Sequence, residues 1–171
     1  MNERDKFLYL KEETYKTIVN SIPIICVDII PIKQVCKVWN IGIIRRSTGS
    51  ESGKFAILGG RISLNETITE AINRHLLKDL GVVRFSFYKT NEVQKPFYVL
   101  QYFKGTKSKE PFGFDPTKHA IALTYLVEIK EVPLPKNEAS EFRWITNKQI
   151  PKQVAFNQNI AMQEAFEQLK G

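Results

Sequence analysis

Cysteine is scarce in this chain, with two among 171 residues, and long apolar runs are absent. Two cysteines cannot build the several cross-links of a disulfide-stapled domain. Cys26 and Cys36 both fall in β-prone stretches and read as two reduced core residues rather than as a disulfide or a metal site. No stretch reaches the roughly 18–20 apolar residues that a helical membrane span needs. The apolar run from Ile22 to Ile32 is broken by Pro23, Asp28 and Pro31, and it reads as a buried strand with its flanks. The first residues, MNERDKFLYLKEE, are charged and lack an apolar stretch followed by small residues, which argues against a secretory signal. A cytoplasmic protein without a membrane partner is the expectation.

What is present points to one globular unit. A length of 171 residues suits a single domain with a substantial core and leaves no comfortable room for two. The expected organisation is one domain over 1–171, with a helical extension over about the first 22 residues. Basic side chains outnumber acidic ones, 25 minus 18 giving +7. That balance favours an anionic partner: nucleic acid, a nucleotide or a phosphorylated metabolite. The lysines are scattered except in KGTKSKE, Lys104 to Glu110. That stretch reads as a solvated connection rather than a nucleic-acid footprint.

Hydrophobic periodicity places the elements. Glu12 to Asn20 can form a short helix ended by Ser21 and Pro23. Ile24 to Ile30 and Val35 to Arg45 read as strands, Ser47 to Gly53 as a polar turn, and Phe55 to Leu58 as a short strand stopped by Gly59-Gly60. From Leu64 to Leu80 the apolar residues Ile68, Ala71, Ile72, Leu76, Leu77 and Leu80 follow the helical period. Gly81 then closes that helix. Val82 to Tyr88, Phe97 to Phe103, Ile121 to Ile129 and Phe142 to Ile145 are further strands, and a helix from about Asn157 to Leu169 ends the chain. Asp115-Pro116 looks like a turn with no functional burden. Trp39, Phe97, Tyr98, Tyr102 and Phe103 read as sheet core, with stacking on a base or sugar as the alternative. The pattern predicts an α/β (α+β) fold, a mixed β-sheet sandwiched between helices.

One segment carries more than secondary structure. Gly60-Arg-Ile-Ser-Leu-Asn-Glu66, followed by Arg74-His75-Leu76-Leu77-Lys78-Asp79-Leu80-Gly81-Val82, resembles a Nudix box. The family pattern is a Gly, five residues, a Glu, seven residues, then Arg-Glu-apolar-any-Glu-Glu-any-Gly-apolar. Both spacings hold, and Gly60, Glu66, Arg74, Leu76, Gly81 and Val82 match. The strand ending in Gly59-Gly60 and the late string Phe142-Arg143-Trp144-Ile145 strengthen the resemblance, which extends more weakly from Ile24 to the C-terminus. It implies the Nudix fold, a homodimer, and a Glu66–Arg74 pair bracing the loop against the helix.

The departures bear on activity. The family's box helix supplies adjacent carboxylates because a hard cation such as Mg²⁺ (or Mn²⁺) takes oxygen ligands beside the substrate's phosphates. Here His75, Lys78 and Asp79 stand where the pattern has three Glu, and lysine repels such a cation. The chain is similar to GDP-mannose mannosyl hydrolases, relatives with a similarly thinned box. That resemblance implies Gly59 or Gly60 carbonyl, Asp79 and Glu138 as metal ligands. It also implies Arg45 or Arg46 on the leaving diphosphate, and His119 at the place of a histidine in that branch. That branch's general base is replaced by Ala139, so Glu138 or Glu141 must substitute if turnover occurs. His75 and Lys78 share the helix face with Asp79 and are candidates for ligand contact.

Two functions stay open on these residues. One is a metal-dependent hydrolase of a nucleoside-diphosphate sugar or a related nucleoside-diphosphate-linked metabolite. The other is a catalytically inactive Nudix-fold protein that binds a nucleotide ligand or regulates through it, favoured by Lys78 and Ala139. A nucleic-acid partner is disfavoured, since no dense basic-aromatic surface is visible.

Overall fold

The computed structural model describes residues 10–89, 95–105 and 111–170. The N-terminal segment up to residue 9 and most of the basic stretch Lys104–Glu110 therefore lie outside the described residues. Helix α1 (Glu12–Ser21) precedes strands β1 (Ile24–Val35), β2 (Val38–Arg46), β3 (Phe55–Ala56) and β4 (Leu58–Arg61). Helix α2 (Ile68–Leu80) follows, then β5 (Phe85–Phe87), β6 (Tyr98–Lys104), β7 (Gly113–Asp115), β8 (Ala120–Ile129), β9 (Ala139–Ile145) and α3 (Asn159–Lys170).

β1 is the axis of the sheet. It pairs in parallel with β8 from Ile24↔Ala120 to Ile32↔Glu128. On its other side Cys26–Ile29 pair antiparallel with β4 and Ile32–Val35 with β2. Pro31 falls between those two partners, where a missing N–H is tolerated. The strand order is β3-β2-β1-β8-β6-β7, with β4 on β1, β5 on β8 and β9 on β2. This is the expected mixed sheet. One helix covers it through Ala71, Ile72, Leu76 and Leu80 of α2, another through Ala161, Met162, Ala165 and Phe166 of α3. Val27, Ile29, Ile30 and Ile41 are fully buried between them, and each such side chain stabilises the fold by about 1.5–3 kcal/mol.

Two boundaries differ from the sequence reading. β1 does not stop at Ile30: it runs on and returns through Cys36 and Lys37, both left-handed (φ 48° and 67°). A two-residue hairpin turn of that handedness normally draws Asn and Gly, so Cys-Lys gave no turn signal. The turn exposes Cys36, which corrects its expected place in the core; Cys26 is buried, and both thiols are free. Helix α2 begins at Ile68, not Leu64, because Thr67 caps it. The Thr67 hydroxyl accepts from Glu70 N at 3.2 Å, and Glu70 Oε2 accepts from Thr67 N at 2.9 Å. Gly81 ends the helix in the left-handed conformation (φ 67°). No helix among the described residues is long and apolar enough to cross a membrane.

The reciprocal cap makes a stability prediction. Thr67→Ala is expected to lower the unfolding free energy by about 1 kcal/mol, read as a lower urea midpoint with an unchanged slope. An unchanged midpoint would show that the junction is held without the cap.

Candidate functional site

The loop between β4 and α2 is held by one arginine. Arg74 donates from Nε to Glu66 Oε1 at 2.6 Å and from Nη2 to Glu66 Oε2 at 2.7 Å. The same Nη2 reaches Arg61 O at 3.0 Å, and Glu66 Oε2 also accepts Ser63 N at 2.8 Å. Burial works to raise the Glu66 pKa, but the Arg74 and Ser63 hydrogen bonds outweigh it, and the carboxyl sits below its usual range. Glu66 lies just before the Thr67 cap and outside the helix, so it acts as a clamp on the loop rather than as a first-turn dipole partner.

At the other end of α2 the exposed carbonyls of the last turn find donors in the loop after β8. Lys136 N donates to Asp79 O at 2.9 Å and Leu134 N to Leu80 O at 2.8 Å, while Asn137 Nδ2 donates to Lys78 O. These bonds satisfy groups that every helix end leaves open, and they carry Glu138 over the helix. Lys78 Nζ there donates to Glu138 Oε1 at 2.7 Å. Asp79 is buried, and its Oδ1 accepts the Glu138 backbone N–H at 3.3 Å. Burial, first, pushes its carboxyl pKa up. For Glu138 burial is outweighed by the Lys78 hydrogen bond and charge, followed by Arg46, and the pKa is lowered.

Between these two anchors lies a cleft of about 190 Å³. Gly59, Gly60, Arg46, Arg61 and Glu138 line its outer part, and Asp28, Tyr102, Gln158 and Phe156 line its buried part. A Cβ at Gly60 would lie 2.6 Å from His75 Cε1, so the glycine is what allows the His75 ring to rest against β4. The ring is buried, and burial together with Arg74 lowers its pKa to about 4. His75 is therefore neutral at physiological pH, and its buried Nδ1 has no hydrogen-bond partner among the described residues.

The chain matches the domain of unknown function DUF4916 over residues 5–169. It belongs to the DUF4916 family. Its fold is the Nudix fold, shared with solved structures at low identity. A possible asymmetric diadenosine tetraphosphate hydrolase from Jonesia denitrificans is 25% identical, with a TM-score of 0.71 over 86% of this chain and 94% of that one. The MutT NUDIX hydrolase from Burkholderia pseudomallei is 16% identical, TM-score 0.63, over 84% and 98%. The NUDIX domain of NrtR from Shewanella oneidensis, complexed with ADP ribose, is 16% identical, TM-score 0.61, over 99% of both chains.

Within this DUF4916 chain the expected site residues separate into two groups. Arg46, Gly59, Gly60 and Glu138 meet at the cleft, with Lys78 bonded to Glu138. The others are not among the lining residues. Arg45 points to the opposite face of β2 from Arg46, as strand alternation requires, donating to Glu141 Oε2 at 2.9 Å and Gly53 O at 2.9 Å. Glu141 is held by Arg45 and Arg143. His119 stacks on Phe103 with ring centroids 5.1 Å apart and meets Gln101 Nε2 at 2.9 Å. Asp79 is buried and is not among the residues lining the cleft.

A divalent cation does not fit the box end of this DUF4916 site. There Glu138 already holds the Lys78 ammonium, and Asp79 is turned to a backbone N–H. His75 brings a neutral ring where the Nudix pattern has a carboxylate. Among the described residues no group of three or more His, Cys, Asp or Glu side chains is placed to hold a metal.

Asp28, Tyr102 and Gln158 were missed from the sequence. Asp28 read as an interruption in an apolar run and Tyr102 as sheet core. Asp28 is buried, and burial raises its carboxyl to about 6, opposed by hydrogen bonds from Tyr102 and Gln158. A carboxylate inside an otherwise apolar strand was the available signal.

Two predictions follow from these environments. Glu66→Gln removes the charge from a bidentate, partly buried pair and is expected to lower the melting temperature by several degrees; unchanged melting would remove the bracing role. Asp28 titrates with the opposite sign. Its pKa is raised on folding from 3.8 to about 6, so its contribution is full below about pH 4 and lost as pH rises through about 6. The stability of Asp28→Asn relative to the native chain should therefore grow between pH 4 and 7, by about 3 kcal/mol at most. A difference that stays flat with pH would refute the buried, raised carboxyl.

Proposed function

We propose that this chain binds a nucleoside-diphosphate-linked metabolite in the cleft beside Gly59 and Gly60, with the Lys78 ammonium in the place of a divalent cation. The observation that carries this reading is the 2.7 Å contact between Lys78 Nζ and Glu138 Oε1. It puts a fixed positive charge at the box position where metal-using relatives need carboxylates. Arg46 and Arg61 line the same cleft and suit the oxygens of a diphosphate. Gly59 and Gly60 line the same cleft. The ADP ribose held by the NrtR NUDIX domain supports the ligand class.

A second reading, hydrolysis of a nucleoside-diphosphate sugar, is favoured by one feature. Glu138 is a carboxylate in the cleft, and the Jonesia denitrificans protein is a possible asymmetric diadenosine tetraphosphate hydrolase. Glu138 must leave Lys78 to accept a proton there, because an ammonium partner that lowers its pKa also weakens it as a base.

Calorimetric titration with GDP-, UDP- and ADP-sugars, with Mg²⁺ and with a chelator, separates the two. Binding that survives the chelator, with the ligand recovered intact, is the expected result. Mg²⁺-dependent release of free sugar and nucleoside diphosphate would establish the hydrolase instead. Lys78→Glu restores a box carboxylate beside Glu138 and is expected to gain Mg²⁺ binding that the native chain lacks. Equal Mg²⁺ heats from both proteins would overturn the assignment of Lys78.

A further inference from the structure

The buried end of the cleft carries a polar network that a diphosphate does not use. Asp28 lies directly across from Gly59 in the β1–β4 pairing. Tyr102 Oη donates to Asp28 Oδ2 at 2.5 Å, Gln158 Nε2 donates to Tyr102 Oη at 3.0 Å, and Gln158 Oε1 accepts Ile57 N at 2.9 Å. Three distant segments thus orient one carboxylate. A methyl group at Gly59 would lie 2.2 Å from Val27 O and 2.8 Å from Asp28 Oδ1, so glycine is what lets β4 pack this closely on β1 beside that carboxylate.

Charge pairing singles Asp28 out. Of the carboxylates lining the cleft, Glu138 is paired with Lys78, and Asp115 with Lys118 at 2.6 Å. Asp28 has no ion pair among the described residues, yet it is buried. A carboxylate has about four acceptor positions, and Tyr102 and Gln158 are the side-chain donors that act on it among the described residues. The backbone points the same way. Gln158 is delivered by Phe156 and Asn157, two successive non-glycine residues in the left-handed region (φ 58° and 62°). That conformation is disfavoured for phenylalanine, less so for asparagine, and such strain is concentrated at functional sites. It also sets Phe156 as an apolar wall, its ring edge-on to Tyr102 at 6.4 Å.

We propose that Asp28 accepts hydrogen bonds from a neutral, donor-bearing ring of the bound metabolite, and that this contact sets which nucleotide derivative the chain selects. The ring is either a sugar presenting hydroxyls or a nucleobase presenting an amino edge, since both offer donors on a flat or puckered apolar body. The cleft volume of about 190 Å³ is below the ~300–1,000 Å³ of a pocket that encloses a whole ligand, and so suits one ring. The inference rests on the nucleoside-diphosphate reading of the same cleft.

The test is titration of the native chain and Asp28→Asn with inorganic pyrophosphate, ADP, GDP, ADP-ribose and GDP-mannose. Asp28→Ser is carried as a second variant, and the melting curve of each confirms folding. The expected result is an affinity for at least one ring-bearing ligand that falls about tenfold or more in both variants, the scale of a lost charge-assisted hydrogen bond, with pyrophosphate binding unchanged. Loss for ADP or GDP as well as the sugar derivatives assigns the ring to the nucleoside, and loss for the sugar derivatives alone assigns it to the sugar. Ring-bearing ligands that bind native and variant chains equally would overturn the role of Asp28 and leave the cleft reading standing. A native chain that binds none of the five would overturn both.

Discussion

The clamp of Arg74 on Glu66 is the constraint on which the rest of the site depends. It joins the loop after β4 to the first half of α2 by two parallel charge-assisted bonds, with a third to Arg61 O. A planar guanidinium fits a carboxylate in one geometry, so the pair fixes orientation as well as distance. With that loop fixed, β4 runs beside β1 at Gly59 and Gly60, and the His75 ring is set against Gly60. The far end of α2 is then closed by the loop after β8, whose donors satisfy the last carbonyls and bring Glu138 over Lys78. The Gly60 side and the Glu138 side of the cleft are thus both positioned from one helix.

The electrostatics of this helix differ from what its spacing resembles. A box built for a hard cation concentrates negative charge, whereas this one presents a neutral His75, a cationic Lys78 and a buried Asp79. The half-exposed Lys78–Glu138 pair adds little to stability, and its consequence lies in occupancy. An ammonium sits where a metal-binding site would keep oxygen ligands available. The buried carboxylate Asp28 of the cleft is instead held by the neutral donors Tyr102 and Gln158.

Much of the architecture was legible because it depends on local pattern. The apolar spacing from Ile68 to Leu80 and Gly81 mark α2, and the Gly60–Glu66–Arg74 spacing marks the clamp. The β1–β2 hairpin was misplaced because Cys36 and Lys37 are chemically ordinary residues in a turn whose backbone alone identifies it. Leu64 to Thr67 were read as helix because periodicity has no sharp edge, while the cap at Thr67 does. Of two adjacent arginines, the strand's alternation sends Arg46 to the cleft and Arg45 to Glu141, and a one-residue uncertainty in strand facing exchanges them.

The sequence by itself determined the fold and the replacement of box carboxylates by His75 and Lys78, since both follow from residue type at fixed local spacing. Lysine at position 78 is positively charged in any conformation. Only the tertiary structure decided what that charge meets and which other groups share the cleft. Asp28, Tyr102 and Gln158 come from β1, β6 and the start of α3, and no periodicity links residues so far apart. A buried carboxylate is unfavourable until such partners surround it, so its meaning exists only once the sheet has brought them together.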